Sequence, residues 1–301
     1  MAQQARLSKV EFQQRYSTEE ACERQLYMIK WPQGYHCEKC GCEKSSIIKT
    51  RKLPLYQCNE CGYQASVIVN TVMEKTRTPL VKWFIAIYGM ATDKRGYSAT
   101  QLMKDIEVSY PTAWLILHKI RQAMKTRDES YHLSGIVEMD EAYFGGPGES
   151  EKRGRGTDRT KVLVGLSLNA DGSPKHSKME IVTDIKGQTI LDFARRNVEA
   201  GSSISSDAFR SYNALQVEYG HKPEKYDLKE NPDHLKWLHV IVSNAKAFIQ
   251  GTFHGLDEKH FQRYLDEFCY RFNRRKFEGQ GFFRLLNSCV RSRTITYNEL
   301  T

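Results

Sequence analysis

The sequence predicts a small metal-binding ribbon and a helical region, followed by a mixed α/β domain. Two CxxC pairs lie within residues 37–61 of a front half that otherwise has helical patterns. After Arg127 the pattern changes to short apolar and β-branched runs, which alternate with helical segments further on. With 301 residues and 40% hydrophobic content, the chain can form two or three domains. We predict domains at residues 1–70, 71–128 and 131–301.

The formal net charge of +9 is concentrated in the front half. Residues 1–130 hold 20 Lys+Arg against 13 Asp+Glu, whereas residues 131–301 hold 25 against 23. A basic front half indicates a polyanion such as nucleic acid as partner, although a merely soluble basic protein has the same composition. No apolar run approaches the roughly 18–20 residues of a membrane span, and no signal core begins the chain. We therefore expect a protein of the reducing cytoplasm, where disulfides are rare.

Four cysteines have the spacing of a zinc site. Cys37 and Cys40 form one CxxC pair, Cys58 and Cys61 form the other, and 17 residues separate the pairs. A closed four-thiolate site leaves no position for a substrate, so the predicted zinc is structural. Redox chemistry and four unligated cysteines are the weaker alternatives.

Helical patterns surround the cysteines. STEEACERQLYMIKW begins with Ser17 and Glu20 in the arrangement of a capping box, and PLVKWFIAIYGMA begins with a proline. Two further helical patterns, joined by a tight turn near residues 108–111, indicate a helix-turn-helix. The second, PTAWLILHKIRQAM, is the candidate recognition helix, with Lys119 and Arg121 near DNA, although its apolar residues equally suit a core helix.

The order of elements after Arg127 predicts the fold of the last domain. Three strand patterns (GIVEMDEAYF, TKVLVGLSL and KMEIVTDI) precede a helix, QTILDFARRNV. A strand ending in SSISSDAF, a short helix, HVIV as a fifth strand and a closing helical segment follow. This is the order of a ribonuclease H-like α/β fold.

Acidic residues occur where these strands should carry core residues. Glu138 and Asp140 share one face of their strand, because residues alternate faces. Asp207 ends another predicted strand. A single acid at a strand end is usually a cap or a turn residue, but two acids that end neighbouring strands could converge on a divalent cation. Mg²⁺ prefers one or two carboxylates together with phosphate oxygens and water.

These motifs together resemble a known family. The CxxC pairs, VEMDEAYFGG, SDAFRSYNAL, SNAKAFIQGTFHG and QRYLDEFCYRFNRR occur in the order found in prokaryotic insertion-sequence transposases with an N-terminal zinc ribbon and a DDE-type core. The resemblance extends from about Phe12 to Asn287. It implies an integrase-like enzyme for metal-dependent strand nicking and strand transfer, with Mg²⁺ or Mn²⁺ as catalytic ion.

The resemblance also implies the site residues. Asp140 and Asp207 match the first two catalytic acids, whereas the third place reads SNAK, so Asn244 and Lys246 stand there in place of the usual glutamate. Asp140, Asp207 and Asn244 would bind the metal, more weakly than three acids would. Helical residues two apart point about 200° from each other. Asn244 and Lys246 can therefore both face the site only at a helix start, with Ser243 as N-cap; a solvated Lys246 is the alternative.

The implied partner is double-stranded DNA, both element ends and target, bound by at least a dimer and not at a membrane. A basic, glycine-rich loop with Arg153 and Arg155 could order on that DNA. The expected location is the cytoplasm, at the nucleoid. The alternatives are a non-catalytic zinc-ribbon regulator and a plain metal-dependent nuclease. Asp140 and Asp207 argue against the regulator, whereas Asn244 in place of an acid keeps it open.

Overall fold

The computed structural model describes residues 7–145, 158–225, 227, 229–231, 233–254, 256–277 and 279–301. The helices within these ranges are α1 (Lys9–Arg15), α2 (Glu19–Lys30), α3 (Leu80–Thr92), α4 (Ala99–Asp105), α5 (Tyr110–Glu129), α6 (Gly187–Asn197), α7 (Lys236–Thr252), α8 (Glu258–Asn273) and α9 (Gly281–Arg291). The strands are β1 (Ser45–Ile48), β2 (Leu55–Cys58), β3 (Gln64–Ala65), β4 (Ile136–Phe144), β5 (Thr160–Leu168), β6 (Pro174–Val182), β7 (Ser203–Asp207) and β8 (Gly220–Glu224). A 3-10 helix spans Arg210–Val217.

The packing divides the chain into two compact units. The first runs up to Arg127 and resumes at Phe277, and the second is Asp128–Lys276. The segment 277–301, which the sequence analysis assigned to the last domain, thus packs in the first unit. There the Phe282 ring of α9 lies 5.3 Å from the ring of Phe12. The sequence marks α9 as apolar but does not indicate which unit it packs against.

The first unit contains the small ribbon and the front helices. Strands β1, β2 and β3 form an antiparallel sheet in that order. The N-cap of α2 is Thr18, whose hydroxyl accepts a hydrogen bond from Ala21 N, so the helix begins one residue later than the Ser17 cap predicted. The two predicted helices of the helix-turn-helix are α4 and α5. None of the helices in the described ranges is long and apolar enough to cross a bilayer.

The second unit is built on a five-stranded sheet of order β6-β5-β4-β7-β8. Strands β6, β5 and β4 are antiparallel neighbours, whereas β4, β7 and β8 run parallel. Three antiparallel strands followed by two parallel ones form the ribonuclease H-like arrangement predicted from the order of elements. In the parallel part, the carboxyl end of β7 lies beside the middle of β4.

Each face of this sheet is covered by helices. One core contains Val137, Met139 and Ile204 from the sheet, packed under α6 and the 3-10 helix. The other contains Ala142 and Phe144, packed under α7 and α8. Residues of β4 thus alternate between the two cores, as expected for a central strand buried on both faces.

The fifth strand is not where the sequence analysis predicted it. HVIV lies inside α7, and the strand at that edge of the sheet is β8. The apolar residues of α7 repeat at helical spacing, which overrides the β-branched run: Leu238, Ile241, Val242, Ala245, Phe248 and Ile249 are its buried residues. The sequence of β8, GHKPE, has no apolar alternation, and its Pro223 suits an edge strand.

Candidate functional site

The four predicted zinc ligands lie together in the ribbon. The sulfurs of Cys37, Cys40, Cys58 and Cys61 all lie within 4.8 Å of one another. Cys37 Sγ is 3.6 Å from Cys61 Sγ, and Cys40 Sγ is 3.5 Å from Cys58 Sγ. With Zn–S bonds of about 2.3 Å, a tetrahedral site separates its sulfurs by roughly 3.8 Å. The cluster therefore fits one tetrahedral zinc ion.

Two tight turns produce this arrangement. Gly41 N donates to Cys37 O at 2.9 Å and Gly62 N donates to Cys58 O at 3.1 Å. Both glycines have positive φ, +79° and +70°, a region that side-chain-bearing residues rarely adopt. The Cys61 backbone N–H donates to the Cys58 sulfur and, against the effect of burial, lowers the pKa of that thiol to about 6. Cys58 is therefore prepared to bind metal as the thiolate.

The two predicted catalytic acids lie next to each other. β4 and β7 are parallel with Glu138 opposite Ser205 and Met139 opposite Ser206. The next pair in this register is Asp140 and Asp207. Residues paired in this way lie on the same face of a sheet and about 4.8 Å apart, the spacing of neighbouring strands. The sheet thus brings together two acids that are 67 positions apart in the chain.

Backbone groups orient both carboxylates. Glu141 N donates to Asp140 Oδ1 at 2.8 Å, and Phe209 N donates to Asp207 Oδ1 at 3.1 Å. Both side chains are half-buried. Oriented, partly exposed carboxylates on two neighbouring strands have the chemistry of a site for a hard divalent cation.

A buried tyrosine lies behind this pair, on the α6 side of the sheet. Tyr212 is fully buried, and its hydroxyl donates to Glu141 Oε2 at 3.1 Å. Burial and the charges of Glu141, Asp140 and Asp207 raise the pKa of Tyr212. Tyr212 therefore remains a neutral hydrogen-bond donor, and Glu141 is occupied on the face opposite the acid pair, as the alternation of faces predicts.

The predicted helix start at Ser243 is wrong. Asn244 and Lys246 lie in the middle of α7, which begins seven residues before Ser243. They therefore point in nearly opposite directions around the helix axis. Asn244 is exposed and Lys246 is half-buried. The two side chains lie on either side of the buried face of α7. They therefore do not both face the acid pair, as the N-cap prediction required.

Two contacts between strand β4 and helix α7 define their relative direction. Leu238 N donates to Glu138 Oε2 at 3.2 Å near the start of both elements. Lys246 Nζ lies 5.6 Å from the centre of the Phe144 ring near their ends. Helix α7 therefore runs along β4 in the same direction as the strand.

Asp140 and Asn244 both lie in the stretch between these two contacts. Asp140 follows the first contact by two residues on β4, and Asn244 precedes the second by two residues on α7. The strand face that bears Asp140 is the one covered by α7, because Ala142 on the same face belongs to that core. The fold therefore brings the SNAK segment to the face that carries the acid pair.

Lys246 lines a cleft of about 430 Å³ beyond the end of β4. Its walls combine aromatic rings, among them Phe144 and Phe261, with polar side chains such as Gln250. Burial and the nearby charge of Arg159 lower the pKa of Lys246. An anion bound here would relieve that repulsion.

The predicted DNA-contacting residues have different outcomes. Arg121 is only 2% exposed, so the prediction that it contacts DNA is wrong. It lies among the buried residues of α5. Lys119 is half-buried, and burial lowers its pKa, with the charge of Glu74 opposing the shift. Arg153 and Arg155 lie outside the described residues.

Other basic and aromatic residues near the C-terminus of the second unit have structural partners. Tyr264 is buried against Phe253, with ring centres 4.7 Å apart. Arg271 pairs with the buried Glu267 at 2.7 Å, so the charge of this glutamate is balanced within its own helix.

Two family domains match this chain. An ISXO2-like transposase domain matches residues 132–273, nearly the extent of the second unit, and a transposase zinc-ribbon domain matches residues 17–64. The second match includes all four cysteines of the cluster and supports zinc as its metal. Together the two ranges cover more than half of the chain.

Two proteins whose names refer to transposable elements or transposases are similar to this chain. A protein in transposable element ISH50 of Halobacterium salinarum is 28% identical over 209 residues, 63% of this chain and 67% of that one. A transposase-like protein of Haemophilus influenzae is 30% identical over 103 residues, 33% of this chain and 83% of that one.

The chain also has a low similarity to solved structures of the Mos1 transposase. The pre-cleavage Mos1 transpososome has 13% identity and a TM-score of 0.28, with coverage of 69% of this chain and 77% of that one. The Mos1 mariner paired-end complex with Mn has 12% identity and a TM-score of 0.29, with coverage of 69% and 75%. Because these scores are low, the fold assignment rests on the strand order of the sheet. From the two domain matches and the Haemophilus relative, the chain belongs to the family of transposases that combine a zinc-ribbon domain with an ISXO2-like transposase domain.

Proposed function

We propose that this chain cuts DNA at the ends of its insertion sequence and joins the freed ends to a target. The observation that carries the proposal is the register of the parallel strands β4 and β7, which sets Asp140 in the middle of β4 beside Asp207 at the end of β7. Paired carboxylates in a ribonuclease H-like sheet suit the in-line displacement of a phosphodiester, which needs no protein nucleophile. Tyr264, in the helical segment QRYLDEFCYRF, is buried in the core and is therefore not available as a nucleophile.

Asp140, Asp207 and Asn244 would hold the divalent ion, Mg²⁺ or Mn²⁺. Such an ion activates the attacking oxygen and stabilises the leaving one. The chain's own contribution is to orient the two carboxylates through Glu141 N and Phe209 N. An amide in the third place brings an oxygen ligand without charge, so we expect weak binding without DNA and stronger binding when phosphate oxygens complete the site.

Lys246 would bind a phosphate of the DNA strand. It faces the cleft at the end of β4, on the opposite side of α7 from Asn244. Because burial and Arg159 disfavour its charge in the free protein, an incoming phosphate should bind it strongly. Lys246 therefore acts on the strand beside the metal site and not at the metal itself.

The first unit would recognise the element ends. The zinc ribbon and the pair α4–α5 are modules of the kind that bind DNA, and Lys119 stays our candidate contact on α5. The basic residues Arg153 and Arg155 remain predicted contacts. Two DNA ends must be brought together before joining, so we propose a homo-oligomer on DNA, acting at the nucleoid in the cytoplasm.

A strand-cutting assay on DNA that carries the element's own ends tests the proposal. Wild-type protein should nick this DNA with Mg²⁺ or Mn²⁺ and not with EDTA, and Asp140→Asn and Asp207→Asn should each abolish nicking while DNA binding persists. Asp192→Asn, an exposed aspartate of α6, is the matched control. Nicking by either active-site variant at the wild-type rate would refute the proposal.

Asn244 is exposed and stands in the place of a third acid, which favours a second candidate, a DNA-binding regulator without catalytic activity. It predicts specific binding to the element ends with no nicking under any metal condition. Nicking without joining would instead indicate a plain nuclease. The same assay, with a labelled target DNA added, separates these outcomes.

A further inference from the structure

Helix α7 begins without a side-chain cap from its own segment, where the backbone oxygen of Asp233 accepts a hydrogen bond from Lys236 N. The residue before its first turn, Leu235, adopts a left-handed conformation with φ +51° and supplies no side-chain hydrogen bond. The first turn contains no acidic residue. The first four N–H groups of any helix lack intrahelical acceptors and must find them elsewhere.

A side chain from the sheet supplies one of these acceptors. Leu238 N, in the first turn of α7, donates to Glu138 Oε2 at 3.2 Å. Leu238 is fully buried, and Glu138 is only 9% exposed. A carboxylate at a helix N-terminus is stabilised by the charge-assisted hydrogen bond and by the helix dipole, which offset part of the cost of its burial.

This bond joins the two elements that carry the proposed active site. Glu138 lies two residues before Asp140 on the same face of β4, and Leu238 lies six residues before Asn244 on α7. We propose that Glu138 is a positioning residue: its carboxylate fixes the start of α7 over β4 and thereby sets the place of Asn244 relative to Asp140. The catalytic part of this inference rests on the proposed function, whereas the anchoring itself does not.

The principal alternative is that Glu138 binds the metal as a third acid. The two roles require different chemistry. An anchoring residue needs an acceptor oxygen, which a glutamine amide also supplies, whereas a metal ligand that replaces the missing acid needs the charge. Glu138→Gln therefore separates the roles, and Glu138→Leu removes the acceptor at similar volume.

Hydrogen exchange of full-length protein without divalent metal tests the anchoring directly. The amides at residues 236–241 should exchange about tenfold faster or more in Glu138→Leu, and within about threefold of wild type in Glu138→Gln. The matched control is Glu180→Leu, which replaces a half-buried glutamate of β6 that pairs with Arg196 on the surface. It should leave these amides unchanged. Equal exchange in Glu138→Leu and wild type would overturn the proposal.

Strand cutting supplies the second readout. Glu138→Gln should retain cutting within about threefold of wild type, and Glu138→Leu should lose at least about tenfold. If Glu138→Gln is as inactive as Asp140→Asn, the charge is required and the positioning role is refuted. If wild type does not cut DNA but the amides at residues 236–241 exchange faster in Glu138→Leu, the proposed function fails and the anchoring stands. Should Glu138→Leu fail to fold, as judged by its circular dichroism, Glu138→Ala provides the same comparison.

Discussion

Asp207, the last residue of β7, lies beside Asp140 in the middle of the parallel strand β4, one register step beyond the pair Met139 and Ser206. This strand pairing brings the two acids onto one face of the sheet. Backbone N–H groups donate to one oxygen of each carboxylate.

Asn244→Asp should strengthen metal binding. The added carboxylate supplies a third charge beside Asp140 and Asp207, so the Mn²⁺ concentration that gives half-maximal nicking should fall several-fold. Ser243→Asp is the matched control, because it adds the same charge to the adjacent exposed residue, which points about 100° away around the helix. An equal effect of both variants would show that general charge, and not the position of residue 244, is responsible.

Lys246→Gln should weaken the response to DNA more than the response to metal. Loss of the ammonium removes the proposed phosphate contact, so the KM for DNA should rise by about tenfold while the metal dependence stays as in wild type. Nicking rates at varied DNA and Mn²⁺ concentrations give both values. A changed metal dependence with an unchanged KM for DNA would contradict the assignment.

Cys58→Ser should lose zinc, and Cys42→Ser should keep it. Cys58 belongs to the four-sulfur cluster, whereas Cys42 lies nearby but outside it. Wild type should contain about one zinc ion per chain by elemental analysis. Zinc retained in Cys58→Ser, or lost equally in Cys42→Ser, would contradict the assigned ligands.

Zinc should also be released on acidification. The pKa of Cys58 is lowered from its ordinary value to about 6, so the thiolate is present above that pH and protons compete with the metal below it. Because bound zinc competes with protons for the thiolates, zinc retention should be complete near neutral pH and decline only at acidic pH, below the pKa of the metal-free thiol. A chromogenic chelator follows the release, and a zinc content that does not fall even in strong acid would be inconsistent with thiolate ligation.

Tyr212→Phe should destabilise the second unit by about 1–2 kcal/mol, because it removes a buried donor and leaves the Glu141 carboxylate without that bond. Tyr219→Phe is the control, since the Tyr219 hydroxyl makes only a long bond of 3.5 Å to Val198 O. Urea unfolding, monitored by far-ultraviolet circular dichroism, gives the free energy of unfolding of both variants. Equal stability of wild type and Tyr212→Phe would contradict the role of this hydrogen bond.

Several parts of the fold and site follow from local sequence patterns. The CxxC spacing predicts the sulfur cluster because short turns fix where each cysteine lies. The apolar runs of β4 and β5 predict strands of a sheet that is buried on both faces. The order of elements predicts that the strands of Asp140 and Asp207 are neighbours, although Asp140 lies in the middle of β4 and only Asp207 ends its strand.

Other parts depend on tertiary contacts that the sequence does not encode locally. HVIV has the composition of a strand, but the burial of one face of α7 favours the helix. Arg121 is a basic residue of the candidate recognition helix, which suggests a DNA contact, yet its side chain is buried. The bond from Leu238 N to Glu138 joins residues 100 positions apart, so only the folded chain reveals it.

The most direct test of the account is to locate the divalent ion in the protein. Fe²⁺ bound in place of Mg²⁺, with ascorbate and peroxide added, generates radicals that cleave the backbone next to the ion. We predict fragments that end near residues 140 and 207, suppressed by excess Mg²⁺ and absent from Asp140→Asn. Cleavage confined to other parts of the chain, or unchanged in Asp140→Asn, would contradict a metal site at this pair of strands.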